Sequence, residues 1–308
     1  MSPSVIAPFE SVTGRGDAAP RLKAAVIGAG MLGLDLAERL NASPVLRCEL
    51  VASRQSSASA LRRAAQLGCE VSTEGIAAVA RAGVDVVFDA SSAEAHPAHW
   101  AALASVDVLL VDLTPSSGGS MLTPTVNAVR AESDRHLSLV SCGGQAVLPV
   151  LDAIATNSER VEDVEVVTTV ASASVGPATR DNLDEYLATT GYAMERLTGA
   201  TRAKVLATIS PALPAPAFRA QITTCAHGIQ PTALADAVEA AATAVRQYAP
   251  GYEVSALSVA DDLVRATVTV TAQGGRLPSY AGNVEIINAA AVTLAERYAR
   301  SREVGRRG

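Results

Sequence analysis

The sequence of 308 residues has few cysteines and no long apolar run. Its four cysteines, Cys48, Cys69, Cys142 and Cys225, form no CxxC pair and no metal-ligand spacing, so we predict neither disulfides nor a metal site. No apolar run approaches the roughly 18 residues that a membrane span requires. The N-terminus shows no charged-then-apolar leader pattern. We therefore expect a cytoplasmic protein with reduced cysteines and no membrane partner.

Aromatic side chains and positive charge are also scarce. Aromatics make up 3% of the chain, which says nothing about the size of any binding pocket, and the net charge of −6 argues against a nucleic-acid partner. In contrast, 49% of residues are hydrophobic, enough for a large core, and the length suggests two domains. Residues 1–20 are predicted to form a disordered tail, and the arginine-rich end, Ser301–Gly308, a solvated tail.

A glycine-rich turn follows the first predicted strand, Lys23–Ile27. Gly28, Gly30 and Gly33 form a GxGxxG pattern between this strand and a predicted helix that runs to Leu40. These glycines permit a tight turn, the close approach of a pyrophosphate, and close packing of helix on strand. A phosphate would bind at the helix N-terminus. The pattern in this context predicts a dinucleotide-binding site.

The second predicted strand, Arg47–Ala52, bears on the choice of cofactor. A site for NAD usually ends this strand with an acidic residue that binds the ribose hydroxyls. Here Ser53, Arg54 and Gln55 follow the strand, and none of them is acidic. Arg54 could bind a 2′-phosphate, which favours NADP over NAD. The alternative is a polar loop with an incidental arginine.

Strands and helices alternate over the first 120 residues after the tail, which predicts a doubly wound parallel sheet, an α/β Rossmann fold. Because ligands bind at the carboxyl ends of such strands, Ser91, Ser92, Thr114 and Cys142 are expected on the cofactor side. His96 and His99 are expected to be packing or surface residues rather than ligands. The predicted strands are Lys23–Ile27, Arg47–Ala52, Cys69–Val71, Val84–Ala90, Val106–Asp112 and His136–Val140, and a helix is predicted near Thr125–Ala131.

The chain changes character after Thr156. The β-branched segment Val164–Val170 reads as a strand, and Val264–Val270 alternates apolar with polar residues, which is typical of an antiparallel sheet with one wet face. The second half is therefore predicted to be α+β. Its other predicted elements are a polar loop at Ala171–Arg180, helices at Asn182–Leu197, Pro231–Tyr248 and Gly282–Ala299, and strands at Lys204–Ile209 and Arg219–Ala226.

Cys142 lies in the sequence SCGGQA, at a predicted turn from strand to helix. Pro149 is placed in the first turn of that helix, where its missing N–H costs little. A helix N-terminus stabilises a thiolate, and its free N–H groups could bind an oxyanion formed when the sulfur attacks a carbonyl. Gly143 and Gly144 would let a substrate approach the backbone closely. Cys142 is thus a candidate nucleophile; the alternative is a buried structural cysteine.

Six stretches together resemble the acylating acetaldehyde dehydrogenases, which convert an aldehyde, NAD and coenzyme A to an acyl-CoA. They are GAGMLG, FDASSAEAH, VDLTP, SCGGQA, SVGPATRDNLDE and LPSYAGNVEIINAAA, in the family's order from Lys23 to Arg300. SCGGQA combined with the later LPSYAGN is specific. The resemblance implies a fold like that of glyceraldehyde-3-phosphate dehydrogenase and a homo-oligomer.

The resemblance also implies roles for particular residues. Cys142 becomes the nucleophile that forms an acyl-thioester, with coenzyme A as cosubstrate. Residues 21–142 would bind the dinucleotide, residues 143–280 would form the catalytic and oligomerisation domain, and residues 281–308 a helix returning to the first domain. The implied cofactor contacts are Ala29, Gly30, Met31, Leu32, Ser174, Val175, Gly176, Pro177, Ala178, Thr179, Arg180, Asp181, Asn182 and Asn283.

Three departures from the family pattern accompany the resemblance. Ala220 stands where the family has an aspartate thought to assist the cysteine, and His227 is a candidate substitute base. Gln55 replaces another family aspartate, consistent with an altered cofactor preference. The chain lacks a Gly/Pro-rich insertion before Leu263, so we do not expect the aldolase partner that supplies acetaldehyde to many family members.

Two other functions remain open from the sequence. Semialdehyde dehydrogenases of this fold use phosphate instead of coenzyme A and need a basic pocket near the cysteine, for which Arg180 and Arg219 are candidates. A nucleotide-binding homologue without catalysis is the other alternative. The physiological direction also stays open, because an acyl-CoA reductase would use the same residues in reverse.

Overall fold

The computed structural model describes residues 21–54, 57–116, 118–273 and 275–307, which form two β-sheets with helices packed against them. Two sequence predictions, the tail at residues 1–20 and the role of Gln55, lie outside the described residues. Within the described residues, no helix is both long enough and apolar enough to cross a membrane.

The first sheet contains seven strands within the described residues, and all its neighbouring pairs are parallel. Its order is β3-β2-β1-β4-β5-β7-β6. The order reverses between β1 and β4, and the crevice at such a switch point is where open α/β sheets bind ligands. The strands are β1 (Leu22–Ile27), β2 (Leu46–Ala52), β3 (Glu70–Ser72), β4 (Val86–Asp89), β5 (Leu109–Asp112), β6 (Ser120–Met121) and β7 (His136–Ser138).

Helices cover both faces of this sheet, so its central strands are apolar on both sides and fully buried. One core cluster joins the sheet to α1 and α2 through Leu36, Leu40 and Ala64; the other joins it to α3 and α4 through Val79 and Leu103. The parallel Rossmann sheet predicted from the sequence is confirmed. The helices are α1 (Met31–Ala42), α2 (Ala58–Gln66), α3 (Ile76–Arg81) and α4 (His96–Leu103).

The second sheet is mixed, as the α+β prediction requires. Its order is β11-β12-β10-β8-β9, in which β8 and β9 are parallel and the other pairs antiparallel. Three helices, α5, α7 and α8, cover one face, while Glu165, Arg219 and Gln221 lie exposed on the other. The elements are α5 (Cys142–Thr156), β8 (Arg160–Ala171), α6 (Pro177–Asp181), α7 (Leu183–Thr198), β9 (Arg202–Ser210), β10 (Phe218–His227), α8 (Pro231–Arg246), β11 (Tyr252–Ala260) and β12 (Leu263–Val270).

The last helix, α9 (Gly282–Arg307), returns to the first sheet and packs against α1. A Cβ on Gly282 would lie 1.9 Å from the carbonyl oxygen of Val270, so only glycine fits where the helix leaves the second sheet. Asn288 Nδ2 donates to Asp35 Oδ2 over 2.8 Å, and Arg39 pairs with Glu285 over 2.6 Å. These buried polar contacts fix α9 beside the glycine-rich turn.

Several predicted elements are wrong in detail. The helix predicted near Thr125–Ala131 is a 3-10 turn at Ala128–Glu132, because Asn127 bonds the N–H of Thr123 and the carbonyl of Met121 and holds the preceding chain in a turn. The predicted polar loop at residues 171–180 contains a 3-10 turn at Ser172–Ser174 and the start of α6.

Two further corrections concern helices. Pro149 is the eighth residue of α5 rather than part of its first turn. The predicted C-terminal tail instead continues α9 to Arg307, where Arg302 lies over the ring of Tyr298, one turn earlier, and pairs with Asp107. Both contacts favour the helical continuation.

Candidate active site

A cavity of about 420 Å³ lies between the two sheets, at the carboxyl ends of β1, β2, β4 and β5. Its wall from the first sheet includes the glycine-rich turn and the loops after β4 and β5. Its opposite wall comes from β8, β9, β10 and α7. Predicted residues that line it are Gly28, Ala29, Gly30, Met31, Leu32, Arg54, Ser91, Ser92, Thr114, Cys142, Ser174, Val175, Gly176, Pro177, Ala178, Thr179 and Asn283.

Glycine occupies each of the three positions of the turn for a different physical reason. Gly28 has φ of 105°, and a Cβ there would lie 2.6 Å from the carbonyl oxygen of Ala90. Gly33 packs on the turn, where a Cβ would lie 2.0 Å from the oxygen of Gly28. By contrast, a Cβ on Gly30 would meet no described heavy atom within 4 Å. Gly30 precedes α1 without a side-chain cap, so the helix N-terminus opens onto the cavity.

Cys142 is the first residue of α5, in agreement with the sequence prediction. Ser141 caps the helix, because its Oγ accepts from the N–H of Gly144 over 2.9 Å. The preceding residue, Val140, has φ of 59°, a strained conformation for a β-branched side chain. Strain of this kind is characteristic of residues beside functional sites, and here it turns the chain so that Cys142 faces the cavity.

The two glycines after Cys142 make room for neighbouring side chains. A Cβ on Gly143 would lie 2.3 Å from the hydroxyl oxygen of Tyr186, and one on Gly144 would lie 2.8 Å from Cγ1 of Val140. The sequence interpretation attributed both glycines to the approach of a substrate. The structure shows that they are required in the protein itself by Tyr186 and by the strained turn.

Tyr186, on α7, lines the cavity beside Cys142, and the sequence did not predict this position. Its hydroxyl oxygen lies 3.9 Å from Sγ of Cys142, within the hydrogen-bonding range of sulfur. The Ser141 hydroxyl donates to Thr190 Oγ1 over 2.7 Å, and the Thr190 hydroxyl donates to the carbonyl of Tyr186 over 2.5 Å. This chain of hydrogen bonds ties α7 to the start of α5 and fixes the tyrosine beside the sulfur.

The protonation of Cys142 follows from its surroundings. Loss of solvent around the sulfur raises the pKa of Cys142 to about 11. A hydrogen bond from Tyr186 and the N–H groups of Gly143 and Cys142 act in the opposite direction and lower that pKa. Burial also raises the pKa of Tyr186 well above its usual value, so its hydroxyl keeps its proton. The pair is therefore neutral at pH 7, with Tyr186 able to donate to a thiolate.

The position of Ala220 is close to this pair but carries no acid. Ala220 is buried on β10 and pairs with Thr168 of β8, whose side chain lines the cavity. The prediction of His227 as a substitute base is wrong. It lies at the other end of β10, nine residues beyond Phe218 of the cavity wall, which corresponds to roughly 30 Å along a strand. It also lies on the half-exposed face of the sheet, opposite Ala220.

Four predicted cofactor residues do not line the cavity. Gly33 lies beneath the turn, and Asp181 is exposed. Arg180 folds back on its own loop, where it donates to the carbonyls of Val175 and Ser172 over 3.3 and 3.1 Å. The Nδ2 of Asn182 donates to the carbonyl of Ala178 over 2.6 Å. The last two side chains therefore shape the Ser174–Thr179 loop rather than reach into the cavity.

Two buried oxygens of the cavity wall have no hydrogen-bond donor among the described residues. One is Oδ1 of Asn283, whose Nδ2 donates to the carbonyl of Ser174 over 3.1 Å. The other is Oγ1 of Thr114. An unsatisfied buried polar group costs about 1–3 kcal/mol, so Asn283 Oδ1 favours a ligand with an N–H or O–H donor, whereas the Thr114 hydroxyl can donate or accept.

Three of the four histidines, His96, His99 and His136, form a buried cluster beside the cavity, and His99 reaches the cavity wall. Asp89 Oδ2 lies 2.9 Å from Nδ1 of His96 and 2.8 Å from Nδ1 of His99, and His96 and His136 join through their Nε2 atoms over 2.9 Å. Burial alone would raise the pKa of Asp89, but the hydrogen bonds from both histidines hold that pKa well below its usual range. The other oxygen of Asp89 accepts from Ser91 over 2.5 Å, so the cluster positions a residue of the cavity wall.

Comparison with solved structures shows the fold. The chain is similar to aspartate semialdehyde dehydrogenase II from Vibrio cholerae, with a TM-score of 0.63 over 91% of this chain and 99% of that one, at 16% sequence identity. A family model described as the NAD-binding domain of semialdehyde dehydrogenases matches residues 23–128. A second, described as prokaryotic acetaldehyde dehydrogenase, dimerisation, matches residues 142–278.

A parallel nucleotide-binding sheet joined to a mixed sheet, with a cysteine at the helix start between them, defines a dehydrogenase of the glyceraldehyde-3-phosphate dehydrogenase-like class. The chain is 47% identical to an acetaldehyde dehydrogenase of Streptomyces griseus over 92% of each chain. It is 37% identical to one of Pectobacterium atrosepticum, over 90% of this chain and 95% of that one. The chain belongs to the acetaldehyde dehydrogenase family, which confirms the resemblance found in its motifs.

Proposed function

We propose that the protein is an acylating aldehyde dehydrogenase that interconverts an aldehyde, NAD(P)⁺ and coenzyme A with an acyl-CoA and NAD(P)H. The observation that carries the proposal is that Cys142, at a helix N-terminus, faces the glycine-rich turn across one cavity. The relatives named acetaldehyde dehydrogenase support the same reaction. Because both directions use the same groups, the protein can also work as an acyl-CoA reductase.

The cavity wall fits a dinucleotide. The space around Gly30 and the uncapped start of α1 suit a pyrophosphate. The unpaired Oδ1 of Asn283 would accept from the carboxamide of a nicotinamide ring. Arg54 is exposed at the cavity edge after β2, where it could bind a 2′-phosphate, and this favours NADP. When bound, the nicotinamide supplies the hydride acceptor or donor.

The chemistry of the chain itself centres on Cys142. The Cys142 thiol first releases its proton to solvent, because the protonated Tyr186 cannot accept it. The thiolate then attacks the aldehyde carbon, and the oxygen of the resulting thiohemiacetal receives hydrogen bonds from the N–H groups of Cys142 and Gly143, which point towards the sulfur. Loss of hydride from that adduct leaves a thioester on Cys142. The sulfur then releases the acyl group to the thiol of coenzyme A. In reverse, an acyl-CoA acylates Cys142 and the aldehyde is released.

Tyr186 provides the polar group beside the sulfur that the family aspartate would otherwise supply. Its hydroxyl contacts Sγ of Cys142, whereas Ala220 offers only a methyl group. The phenol of Tyr186 can donate a hydrogen bond to the Cys142 thiolate. It cannot take the proton from the Cys142 thiol at pH 7, because the raised pKa of Tyr186 keeps the phenol protonated. We therefore assign Tyr186 to stabilising the thiolate, both before attack and when the acyl group leaves.

The phosphate-dependent alternative is less well supported by the cavity. Such an enzyme needs cations near the cysteine. Arg180 bonds its own loop, and Arg219 lies on the exposed face of the second sheet. Of the arginines in the described residues, only Arg54 lines the cavity, at the nucleotide end. A non-catalytic homologue would not need the strained turn at Val140 that presents Cys142.

The remaining assignments concern assembly and location. We propose a homo-oligomer, because the matched family region is described as a dimerisation region and one face of the second sheet is open. We retain the proposed division into a nucleotide-binding part at 21–142, a catalytic part at 143–280 and the returning helix at 281–308. The four cysteines are free thiols, which agrees with a cytoplasmic protein.

The test is reduction of a panel of acyl-CoA thioesters with NADH and NADPH in parallel. We expect one free thiol to be released for each reduced cofactor consumed, and Cys142→Ala to abolish turnover. Cys225→Ala serves as the control, because Cys225 lies outside the cavity. Aldehyde oxidation that requires phosphate and ignores coenzyme A would contradict the proposal in favour of the semialdehyde reaction. Nucleotide binding without any turnover would favour the non-catalytic homologue.

A further inference from the structure

Three metal-ligating side chains converge on the partly exposed face of the second sheet, at the start of β8 and the end of β10, far from the cavity. Nε2 of His227 lies 3.2 Å from a carboxylate oxygen of Glu162 and 4.0 Å from Sγ of Cys225. All three donor atoms lie within 4.8 Å of one another. A tetrahedral zinc ion with bonds of about 2.0–2.3 Å places its donors roughly 3.3–3.6 Å apart, so small side-chain movements would suffice to bind one.

A β-bulge places Glu162 on the same face as the other two side chains. Cys225 pairs with Asp163 and Ala226 with Val161, which leaves Glu162 as the extra residue on β8. Glu162 and Asp163 therefore both point outwards, between the buried Val161 and Val164. Bulges commonly re-aim a side chain in this way. Without the bulge, the alternation of β8 would turn Glu162 away from Cys225 and His227.

The orientation of His227 is set by Asp262, in the turn between β11 and β12. Nδ1 of His227 lies 2.8 Å from Oδ2 of Asp262, so the ring donates its Nδ1–H there and directs Nε2 towards Glu162 and Cys225. A carboxylate behind a histidine is the arrangement that orients histidine ligands in metal sites. Arg160 also approaches Glu162, over 3.5 Å, but it is exposed and free to turn into solvent.

We propose that Glu162, Cys225 and His227 bind a divalent metal ion of the zinc type, with water in the fourth position. A thiolate, an imidazole and a carboxylate suit zinc, whereas magnesium and calcium take oxygen ligands. On binding, the Cys225 thiol and Nε2 of His227, which faces Glu162 over 3.2 Å in the metal-free cluster, both release their protons to solvent and form the metal–sulfur and metal–nitrogen bonds. The side chains are partly exposed, so an ion can enter from solvent. The ion would join β8, β10 and, through Asp262, the turn between β11 and β12.

The site lies apart from the cavity, so the metal ion would not take part in the reaction at Cys142. It lies nine residues along β10 from Phe218, the residue of that strand that lines the cavity. The ligands come from two strands more than 60 residues apart, so the spacing of cysteines along the chain carries no signal for this site. The inference does not depend on the proposed enzymatic reaction, so its test is separate from the activity assay.

The experiment is a titration of the chelator-treated full chain with Co²⁺, followed by absorbance. We expect a thiolate-to-cobalt charge-transfer band that saturates at one equivalent and is displaced by Zn²⁺. Cys225→Ser should abolish the band, whereas Cys142→Ser should retain it. Asp262→Asn should weaken binding about 10- to 100-fold. Zn²⁺ should raise the melting midpoint of the natural chain but not that of His227→Gln.

Two results would overturn the proposal. Absence of a charge-transfer band at excess Co²⁺ would mean that the cluster binds no metal and that His227 only forms hydrogen-bonded ion pairs with Glu162 and Asp262. A band that survives in Cys225→Ser and disappears in Cys142→Ser would place the metal at the active-site cysteine instead. Metal-free melting curves of each variant check that the fold is intact, and all the substituted side chains except Cys142 lie outside the core clusters.

Discussion

The hydroxyl of Tyr186 lies 3.9 Å from Sγ of Cys142, in space that is open only because residue 143 is glycine. Hydrogen bonds from Ser141 through Thr190 to the backbone of Tyr186 hold the two helices together at this point. The sulfur thus faces a phenol that can donate a hydrogen bond but cannot act as a base at neutral pH. The reactivity of Cys142 should therefore depend on this donor, alongside the N–H groups of Cys142 and Gly143.

Replacing Tyr186 with phenylalanine should make Cys142 less reactive. The lost hydrogen bond normally lowers the pKa of the thiol, so the variant should show a pKa above the natural value of about 11. Fewer thiolates at pH 7 then mean slower alkylation by iodoacetamide, by about five- to tenfold if the bond contributes about 1 kcal/mol. The rate should rise with pH in both proteins, with the variant curve displaced to higher pH.

Tyr192→Phe is the matched control, because Tyr192 lies on the same helix and is 56% exposed. Its alkylation rate and pH profile should equal those of the natural protein. An unchanged profile in Tyr186→Phe would show that the hydroxyl does not act on the sulfur.

The substitution Gly143→Ala should be destabilising mainly because of Tyr186. The added Cβ would lie 2.3 Å from the hydroxyl oxygen, but 3.4 Å from the ring carbon that bears it. We expect Gly143→Ala to lower the free energy of unfolding by about 1–3 kcal/mol, and by less in a Tyr186→Phe background. Chemical denaturation of the two single variants and the double variant measures this coupling. If the changes in the free energy of unfolding of the two single variants simply add in the double variant, residue 143 is not in close contact with the Tyr186 hydroxyl.

We expect Arg54 to favour binding of NADPH, because its side chain at the cavity edge could bind the 2′-phosphate. We expect Arg54→Ala to raise the KM for NADPH about tenfold, because an arginine–phosphate contact of about 1.4 kcal/mol is lost, and to leave the KM for NADH nearly unchanged. Arg62→Ala is the control, since Arg62 is exposed on α2 and does not line the cavity. Equal effects on both cofactors would show that Arg54 does not read the 2′-phosphate.

The buried cluster around Asp89 should contribute strongly to stability. Asp89→Asn leaves His99 without a carboxylate partner and His96 with Asp112 alone, and breaking such a buried pair costs about 3–5 kcal/mol. Because the pKa of Asp89 is lowered in the folded protein, its contribution is present above about pH 4 and is lost as the pH falls. The free energy of unfolding, measured by chemical denaturation at several pH values, should show that the difference between the natural protein and Asp89→Asn shrinks as the pH falls. Asp107→Asn is the exposed control and should change little.

The features that the sequence predicted are those set by local spacing. The strand, glycine turn and helix at Gly28–Gly33 follow from residues close in the chain. So do the alternation that produces the parallel sheet and the helix start at Cys142. The family motifs extended this reading to the Ser174 loop and Asn283, both of which line the cavity.

The features that the sequence did not predict depend on contacts between distant segments. Tyr186 reaches Cys142 only through the packing of α7 on α5, 44 residues along the chain. The cluster joining His96 and His136 spans 40 residues. Strand β11 lies at a sheet edge, where several side chains are exposed and the alternation that would mark a strand is weak. Periodicity in a single segment carries no signal for any of these.

The most direct test of the central claim is mass spectrometry of the protein mixed with acetyl-CoA and no reduced cofactor. We expect one acetyl group on the peptide that contains Cys142, transferred from acetyl-CoA and removed by excess free coenzyme A. Cys142→Ser should not form this thioester, and Cys225→Ser should form it normally. Turnover of acyl-CoA without any acyl group on Cys142, or with the acetyl group on another residue, would contradict a reaction through a Cys142 thioester.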